Sequence, residues 1–286
     1  MRILLAALSL SLLLAAAQPI SVRLNVTVTR GDTFITDLPQ QAFTVLEDGK
    51  LQSIASFERQ DGPVSVALVI DKSGSTHDTA SSWGQLARVL VDGLHPQSEV
   101  SVISFHDLVY LDAGLTENRN EIAKVLSQGN TSGGSALRDA CLLAVQYLAK
   151  NARYDMKVVV IFSDGRDNAS KTKLDDWKLE LVPNPVMVYA LQIFDRHFTG
   201  AEQKSARNQL KALSEPTGGI VYESKKPAEL EQAAERIARE IRSQYVLTYS
   251  PADQTLSGRL RKISVKVQPS DKQVRVRTRS GYYATP

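Results

Sequence analysis

The chain has 286 residues, of which 43% are hydrophobic and 23% are charged, a composition that suits one large or two modest globular domains and excludes a disordered protein. Its 34 basic and 31 acidic residues give a formal net charge of +3, which is too small to indicate a polyanionic partner. The single cysteine, Cys141, excludes an internal disulfide, and apolar neighbours at helical spacing predict that it is a core side chain.

The first 17 residues have the layout of a secretory signal peptide. Arg2 precedes an apolar run over residues 3–14, and the alanines at 15–17 form a small-residue cleavage site. No later segment reaches the roughly 20 apolar residues that span a bilayer. We therefore expect a secreted or periplasmic protein without a transmembrane segment in its mature chain.

Residues 18–62 have the pattern of short antiparallel strands. Apolar side chains occupy every second position of residues 22–28, which predicts a strand with one buried face. Asp48 and Gly49 lie between apolar flanks, a combination that favours a tight hairpin. We expect this region to be the N-terminal half of a small β-sandwich.

From residue 63 to residue 242, apolar strands alternate with amphipathic helices. Strands are predicted at residues 64–70, 100–105, 158–162, 186–193 and 220–222. Helices are predicted around residues 83–91, 137–148 and 230–241, with a weaker pattern at 206–213. This alternation predicts an α/β fold with a doubly wound, mostly parallel sheet and helices on both faces.

After residue 242 the pattern returns to strands without intervening helices. The economical arrangement pairs residues 243–286 with residues 18–62 in one β-sandwich, into which the α/β domain of residues 63–242 is inserted. In the last strand Arg275, Arg277 and Arg279 alternate with smaller residues, which predicts a solvated face. No aromatic residues interleave with these arginines, so we expect no nucleic-acid partner.

Three loops of the α/β region carry the residues that suggest chemistry. Asp71, Ser73 and Ser75 are two residues apart, so a tight loop can turn one carboxylate and two hydroxyls toward a common point. Asp164 follows a second strand, and ligands of open parallel sheets bind outside the carboxyl ends of the strands. Ser135 lies between Asp71 and Asp164 in the sequence. It either caps a helix or points its hydroxyl toward the site at the carboxyl ends of the strands.

Such a donor set contains only oxygen and has few charges. It suits a hard divalent cation, Mg²⁺ above all, and neither zinc nor copper. The four histidines show no spacing that is typical of zinc ligands.

Taken together, the segments DKSGS, GGSALRDA and IFSDGRDN resemble the metal-ion-dependent adhesion site of von Willebrand factor type A domains. Nearly the whole mature chain resembles the VWFA-related proteins of bacterial secreted type. The resemblance implies a Rossmann-like domain, and it assigns the metal ligands to Asp71, Ser73, Ser75, Ser135 and Asp164. The family more often has threonine at the position of Ser135, and Thr131 is a nearby substitute for that hydroxyl.

The resemblance implies metal-dependent protein binding, in which Mg²⁺ or Mn²⁺ with an open position captures the Asp or Glu carboxylate of a protein partner. No GxxxxGK[ST], GxGxxG or GxSxG segment occurs, so we expect that the protein is not an enzyme. Two alternatives stay open. One is a metal-assisted hydrolase that uses Asp71 with a bound water, and the other is an envelope scaffold with a degenerate metal site.

Overall fold

A computed structural model describes residues 20–181, 184–193, 198–268 and 273–284. The predicted signal peptide at residues 1–17 lies outside the described residues. Five strands come first, namely β1 (Val22–Arg30), β2 (Thr33–Phe34), β3 (Phe43–Glu47), β4 (Lys50–Gln52) and β5 (Ile54–Arg59).

An α/β region follows. Its elements in chain order are β6 (Ser65–Asp71), α1 (Ala80–Asp92), β7 (Glu99–Phe105), β8 (Val109–Thr116), α2 (Arg119–Leu126), α3 (Leu137–Asn151), β9 (Lys157–Ser163), α4 (Leu174–Glu180), β10 (Met187–Ile193), α5 (Gly200–Ser214), β11 (Val221–Ser224) and α6 (Pro227–Ile241). The last four strands are β12 (Tyr245–Tyr249), β13 (Leu260–Val267), β14 (Val274–Arg277) and β15 (Gly281–Tyr283). Among the helices of the described residues, none combines the length and the apolarity that crossing a membrane requires.

The α/β region is built on a six-stranded sheet in the order β11-β10-β9-β6-β7-β8. The first five of these strands are parallel, and β8 pairs antiparallel with β7 at one edge. The predicted mostly parallel, doubly wound sheet is therefore confirmed. The sequence pattern missed β8, because most of its side chains are exposed or half-buried and show no clear alternation.

Both faces of the sheet are covered by helices. In β6, Val66 and Leu68 belong to a core with α1 and α6, whereas Ala67 and Val69 face a core with α3 and α5. Burial of one large aliphatic side chain stabilises the fold by about 1.5 to 3 kcal/mol, so these two cores hold the sheet in place. Cys141 is fully buried in the second core, as its sequence context predicts.

The strands at the two ends of the chain pair with each other. One sheet has the order β14-β1-β12-β5 with β2 on β1, and another has the order β15-β13-β3-β4. Arg59 pairs with Tyr245, so the chain enters and leaves the α/β region at neighbouring points. We call β1–β5 and β12–β15 together the terminal β-module. One hydrophobic cluster contains side chains from both of its sheets, Leu24 and Val265 among them.

Two sequence expectations about the last strand are wrong. The predicted single strand is divided into β14, which pairs with β1, and β15, which pairs with β13 in the other sheet. The arginines do not share one solvated face either, because only Arg275 is exposed. Arg277 instead forms an ion pair with the fully buried Glu240 at 2.5 Å, and Arg279 is half-buried.

Glu240 connects the α/β region to the terminal β-module. Its Oε1 atom accepts hydrogen bonds from Arg277, from the Tyr189 hydroxyl at 2.8 Å and from the Thr27 hydroxyl at 3.1 Å. These partners lie on β14, β10 and β1, so one carboxylate near the end of α6 joins three strands. A buried charge of this kind is tolerated only with a partner of opposite charge.

We expect Arg277→Gln to lower the free energy of unfolding by about 3 kcal/mol, because it leaves Glu240 buried without its cation. Arg275→Gln, on the same strand but exposed, should change it by less than about 0.5 kcal/mol. Urea unfolding measures both. The double variant Arg277→Gln, Glu240→Gln should recover part of the loss, and equal effects of the two single variants would contradict this role of the ion pair.

Candidate metal centre

Two neighbouring parallel strands deliver the acidic residues of the site. β6 ends at Asp71 and β9 ends at Ser163, directly before Asp164. Because the strands are adjacent and parallel, both carboxylates lie at the carboxyl edge of the sheet, where the strand order reverses. The Ser163 hydroxyl donates to Asp71 Oδ2 at 2.5 Å and so connects the two strand ends.

The loop after β6 links the two carboxylates through serine hydroxyls. Both the backbone N–H and the hydroxyl of Ser73 donate to Asp71 Oδ1, at 2.9 and 2.5 Å. The hydroxyl oxygens of Ser73 and Ser75 are 3.2 Å apart, and Ser75 donates to Asp164 Oδ2 at 2.6 Å. Four of the five predicted site residues therefore form two hydrogen-bonded pairs whose serine oxygens are in contact. We call this group the crevice.

Ser135 contacts the loop after Asp164. It is buried, its N–H donates to Asn168 Oδ1 at 2.7 Å, and its hydroxyl donates to the Arg166 carbonyl at 2.7 Å. Helix α3 begins at Leu137 with Ala136 as its N-cap, so Ser135 is not the helix cap that its position allowed.

The alternative hydroxyl, that of Thr131, lies 2.9 Å from His77 Nδ1. Neither hydroxyl has a hydrogen bond to Ser73 or Ser75.

Main-chain contacts hold the first two loops together. Gly74 N–H donates to the Gly133 carbonyl at 3.1 Å, and Ser132 N–H donates to the Lys72 carbonyl at 3.0 Å. Gly133 has a φ of +70°, in the left-handed region, and a Cβ atom there would overlap the Asp107 carboxylate. Glycine is therefore favoured at 133 by its positive φ and by the Asp107 carboxylate, and at 74 by the Gly133 carbonyl, which would lie 3.3 Å from a Cβ.

Sequence analysis missed two residues that support the crevice. Ser163 was recognisable, because it directly precedes Asp164 at the end of an apolar strand. Asp107 follows β7 in the turn to the unpredicted strand β8, and its Oδ1 atom accepts the Gly134 N–H at 2.7 Å. No pattern in the sequence connects Asp107 with a loop 27 residues further on.

The electrostatics of the crevice are unfavourable for two ionised carboxylates. Burial, and then the charge of Asp164, raise the pKa of Asp71 to about 7, although hydrogen bonds from Ser163 and Ser73 act to lower it. The described groups that act on Asp71 include no cation. A positive charge bound between the carboxylates would remove this penalty.

The donor set fits a hard divalent cation. It offers carboxylate and hydroxyl oxygens without nitrogen or sulfur, as Mg²⁺ and Mn²⁺ prefer. The described residues contain no group of three or more His, Cys, Asp or Glu side chains that could hold a metal, so any ion here depends on serine hydroxyls as well. The residues present therefore suit a weakly held, oxygen-coordinated ion.

The fold and the crevice define an α/β domain of Rossmann-like type with a carboxylate and hydroxyl site at its topological switch point. Residues 66–166 match the family model of the von Willebrand factor type A domain, and this segment includes all five predicted site residues. The α/β region thus has a von Willebrand factor A-like fold.

Solved structures agree with this fold. A von Willebrand factor type A protein from Catenulispora acidiphila is 13% identical with a TM-score of 0.51, and the match covers 91% of this chain and 71% of that one. The PilB minor pilin from Streptococcus sanguinis is 11% identical with a TM-score of 0.52, over 65% and 62% of the chains. Proximal thread matrix protein 1 from the mussel byssus is 15% identical with a TM-score of 0.52, over 65% and 49%.

The matched chain thus spans less than two thirds of the pilin and of the mussel protein. At these identities the similarity shows the fold alone. The comparison with curated protein sequences finds no match.

The raised pKa of Asp71 predicts a pH dependence of stability in the presence of a chelator. A carboxyl whose pKa is higher in the folded chain stabilises the fold while protonated. That contribution is complete below about pH 4 and is lost as the pH rises through about 7. We expect Asp71→Asn to be more stable than the wild type at pH 8, by up to about 4 kcal/mol, and to lose this advantage toward pH 4.

Urea unfolding at a series of pH values measures this difference. Asp155→Asn, at a carboxylate that is 83% exposed, is the control and should follow the wild type. Parallel stability profiles for Asp71→Asn and the wild type would show that Asp71 is not held in a repulsive environment.

Proposed function

We propose that this protein is an extracytoplasmic, metal-dependent protein-binding module. In this proposal Mg²⁺ or Mn²⁺ is held by Asp71, Ser73, Ser75 and Asp164, with Ser135 as the further hydroxyl, and the bound ion captures an acidic side chain of a protein partner. The observation that carries the proposal is that Ser73 donates to Asp71 and Ser75 donates to Asp164, while the two serine oxygens lie 3.2 Å apart.

The serine hydroxyls are oriented in a way that supports cation binding. Ser73 donates its proton to Asp71, and Ser75 donates its proton to Asp164. A hydroxyl that donates to a carboxylate keeps its own lone pairs available for a cation. The ion, when bound, would supply a positive charge with an open coordination position, which is what a partner carboxylate requires.

The surroundings of the crevice favour a protein partner over a small ligand. Gly74 and His77 are exposed and Ser75 is half-buried, so one side of the crevice is accessible. Leu108, 61% exposed, follows Asp107, which contacts the second loop, and Leu111 on the edge strand is 45% exposed. Exposed apolar side chains beside a polar site are typical of protein interaction surfaces.

The comparisons support binding rather than catalysis. One structural neighbour is a minor pilin and another is a thread matrix protein of the mussel byssus. The signal-peptide layout of residues 1–17 supports an extracytoplasmic location. We further propose that the terminal β-module is a β-sandwich that carries the inserted α/β domain. The hydrophobic cluster common to its two sheets supports this arrangement.

Calorimetric titration with Mg²⁺ and with Mn²⁺ tests the proposal. The wild type should bind one ion, and Asp71→Ala should abolish binding because it removes the carboxylate that anchors Ser73. Asp155→Ala, at an exposed carboxylate remote from the crevice, should bind like the wild type.

A pull-down from the native envelope should then recover a partner with metal and lose it with chelator. If the folded wild type binds no metal at millimolar Mg²⁺ or Mn²⁺, the proposal is contradicted and the envelope scaffold with a degenerate metal site is favoured. Metal-dependent turnover of phosphoester or peptide substrates would favour the hydrolase alternative.

The same titration distinguishes the two candidate hydroxyls of the second loop. We expect Ser135→Ala to weaken metal binding by about 10-fold or more, and Ser135→Thr to retain it, because threonine keeps the hydroxyl. Thr131→Val should have little effect, since its hydroxyl contacts His77. The opposite ranking of Ser135→Ala and Thr131→Val would assign the position to Thr131.

A further inference from the structure

A second cavity lies where the terminal β-module meets the α/β region, and it has a volume of about 280 Å³. Its wall includes Pro185 and Val186, which directly precede β10, and residues of the module from β1, β13, β15 and the segment between β14 and β15. The amino end of β10 is at the opposite edge of the sheet from Asp71 and Asp164. The cavity is therefore separate from the crevice.

The lining of this junction cavity is apolar on one side and cationic on the other. Apolar side chains come from both parts of the chain and are Leu181, Pro185, Val186, Pro216, Leu260 and Tyr282. Three cationic residues, Arg23, Lys178 and Arg279, also line it, and none of the described lining residues is acidic. Lys178 and Arg23 form ion pairs with Asp175 and Asp155, which lie outside the lining. Arg279 is therefore the cation that would favour a molecule that is both apolar and negatively charged.

Arg279 differs from the other enclosed arginines of the terminal β-module. Arg261 forms an ion pair with Glu47 at 2.9 Å, and Arg277 forms one with Glu240. Arg279 has no carboxylate partner among the described residues. Its Nε–H donates to the Gly281 carbonyl at 3.1 Å, and its guanidinium lies 5.9 Å from the centre of the Tyr282 ring.

Burial lowers the pKa of Arg279, but a guanidinium remains charged in proteins at neutral pH. Arg279 is half-buried, and an anion in the adjacent cavity would supply the counter-ion that the described residues do not.

Two residues of the cavity wall each have a buried polar side-chain atom without a hydrogen-bond partner among the described residues. The atoms are Nε of Arg23 and Oδ1 of Asn25, both on β1. The Nη1 atom of Arg23 is bound to Asp155 at 3.2 Å, which leaves Nε as its unsatisfied donor. Arg23 Nε is thus a donor without a partner on a residue that lines the same cavity as Arg279, whereas Asn25 Oδ1 is an acceptor and gives an anion no support.

We propose that the junction cavity binds a small amphipathic anion, with its carboxylate on Arg279 and its apolar body against the prolines, Val186 and Leu260. The volume is near the lower end of the roughly 300 to 1,000 Å³ found for ligand sites, so the ligand is a small molecule and not a peptide segment. This site is independent of the metal centre and does not rest on the proposed function.

Calorimetry with octanoate tests the proposal, with octanol as the uncharged analogue and acetate as the analogue without an apolar body. We expect octanoate to bind and both analogues to bind at least about 10-fold more weakly, because a charged hydrogen bond and apolar burial are each worth this much. The same affinity should be found with Mg²⁺ and with chelator. Absence of octanoate binding, or equal binding of octanol, would overturn the proposal.

Two matched pairs of variants locate the site. Arg279→Gln should weaken octanoate binding by about 10- to 100-fold, whereas Arg275→Gln, exposed and outside the cavity, should not. Leu260→Glu adds a negative charge at the cavity wall and should also abolish binding. Leu256→Glu is the control, since Leu256 is 48% exposed against 49% for Leu260 and does not line the cavity.

Both leucines are exposed, so their variants should fold even if Arg279→Gln does not. Unchanged affinity in Leu260→Glu would place octanoate elsewhere and overturn the proposal.

Discussion

The parallel pairing of β6 with β9 is the constraint on which the site depends. It places Ile70 opposite Phe162, so the residues that follow, Asp71 and Ser163, leave the sheet side by side. The two cores on either face of the sheet keep this pairing rigid. Without that register the carboxylates of Asp71 and Asp164 would belong to unrelated loops, and the serines of the first loop would have nothing to connect.

The crevice holds two carboxylates close together, which is electrostatically unfavourable when both are ionised. Asp71 is fully buried next to Asp164, and among the described groups those that oppose the rise of its pKa are hydroxyl and backbone donors. Natural folds accept such local costs where they serve a function. The cost of burying Asp71 next to Asp164 is offset by the main-chain contact between Gly74 and Gly133 and by the large cores of the sheet. A site arranged in this way is stable enough to persist and still gains from binding a cation.

Local sequence patterns were sufficient to predict the parallel sheet and four residues of the crevice. The reason is that the strands ending at Asp71 and directly before Asp164 are continuous apolar segments of the sequence. These patterns were insufficient where contacts between distant parts of the sequence determine the partner of a side chain. Ser135 has several possible acceptors, and its spacing does not specify the Arg166 carbonyl. Arg279 follows an alternating pattern, yet β14 ends at Arg277 and the chain turns into the other sheet, which encloses the guanidinium.

A crystal structure of the protein grown with Mn²⁺ tests the metal centre most directly. The proposal predicts an anomalous peak between Asp71 and Asp164, at direct coordination distance from the hydroxyl oxygens of Ser73 and Ser75, close to the roughly 2.0 to 2.1 Å that Mg²⁺ requires. A structure at millimolar Mn²⁺ without such a peak would contradict it.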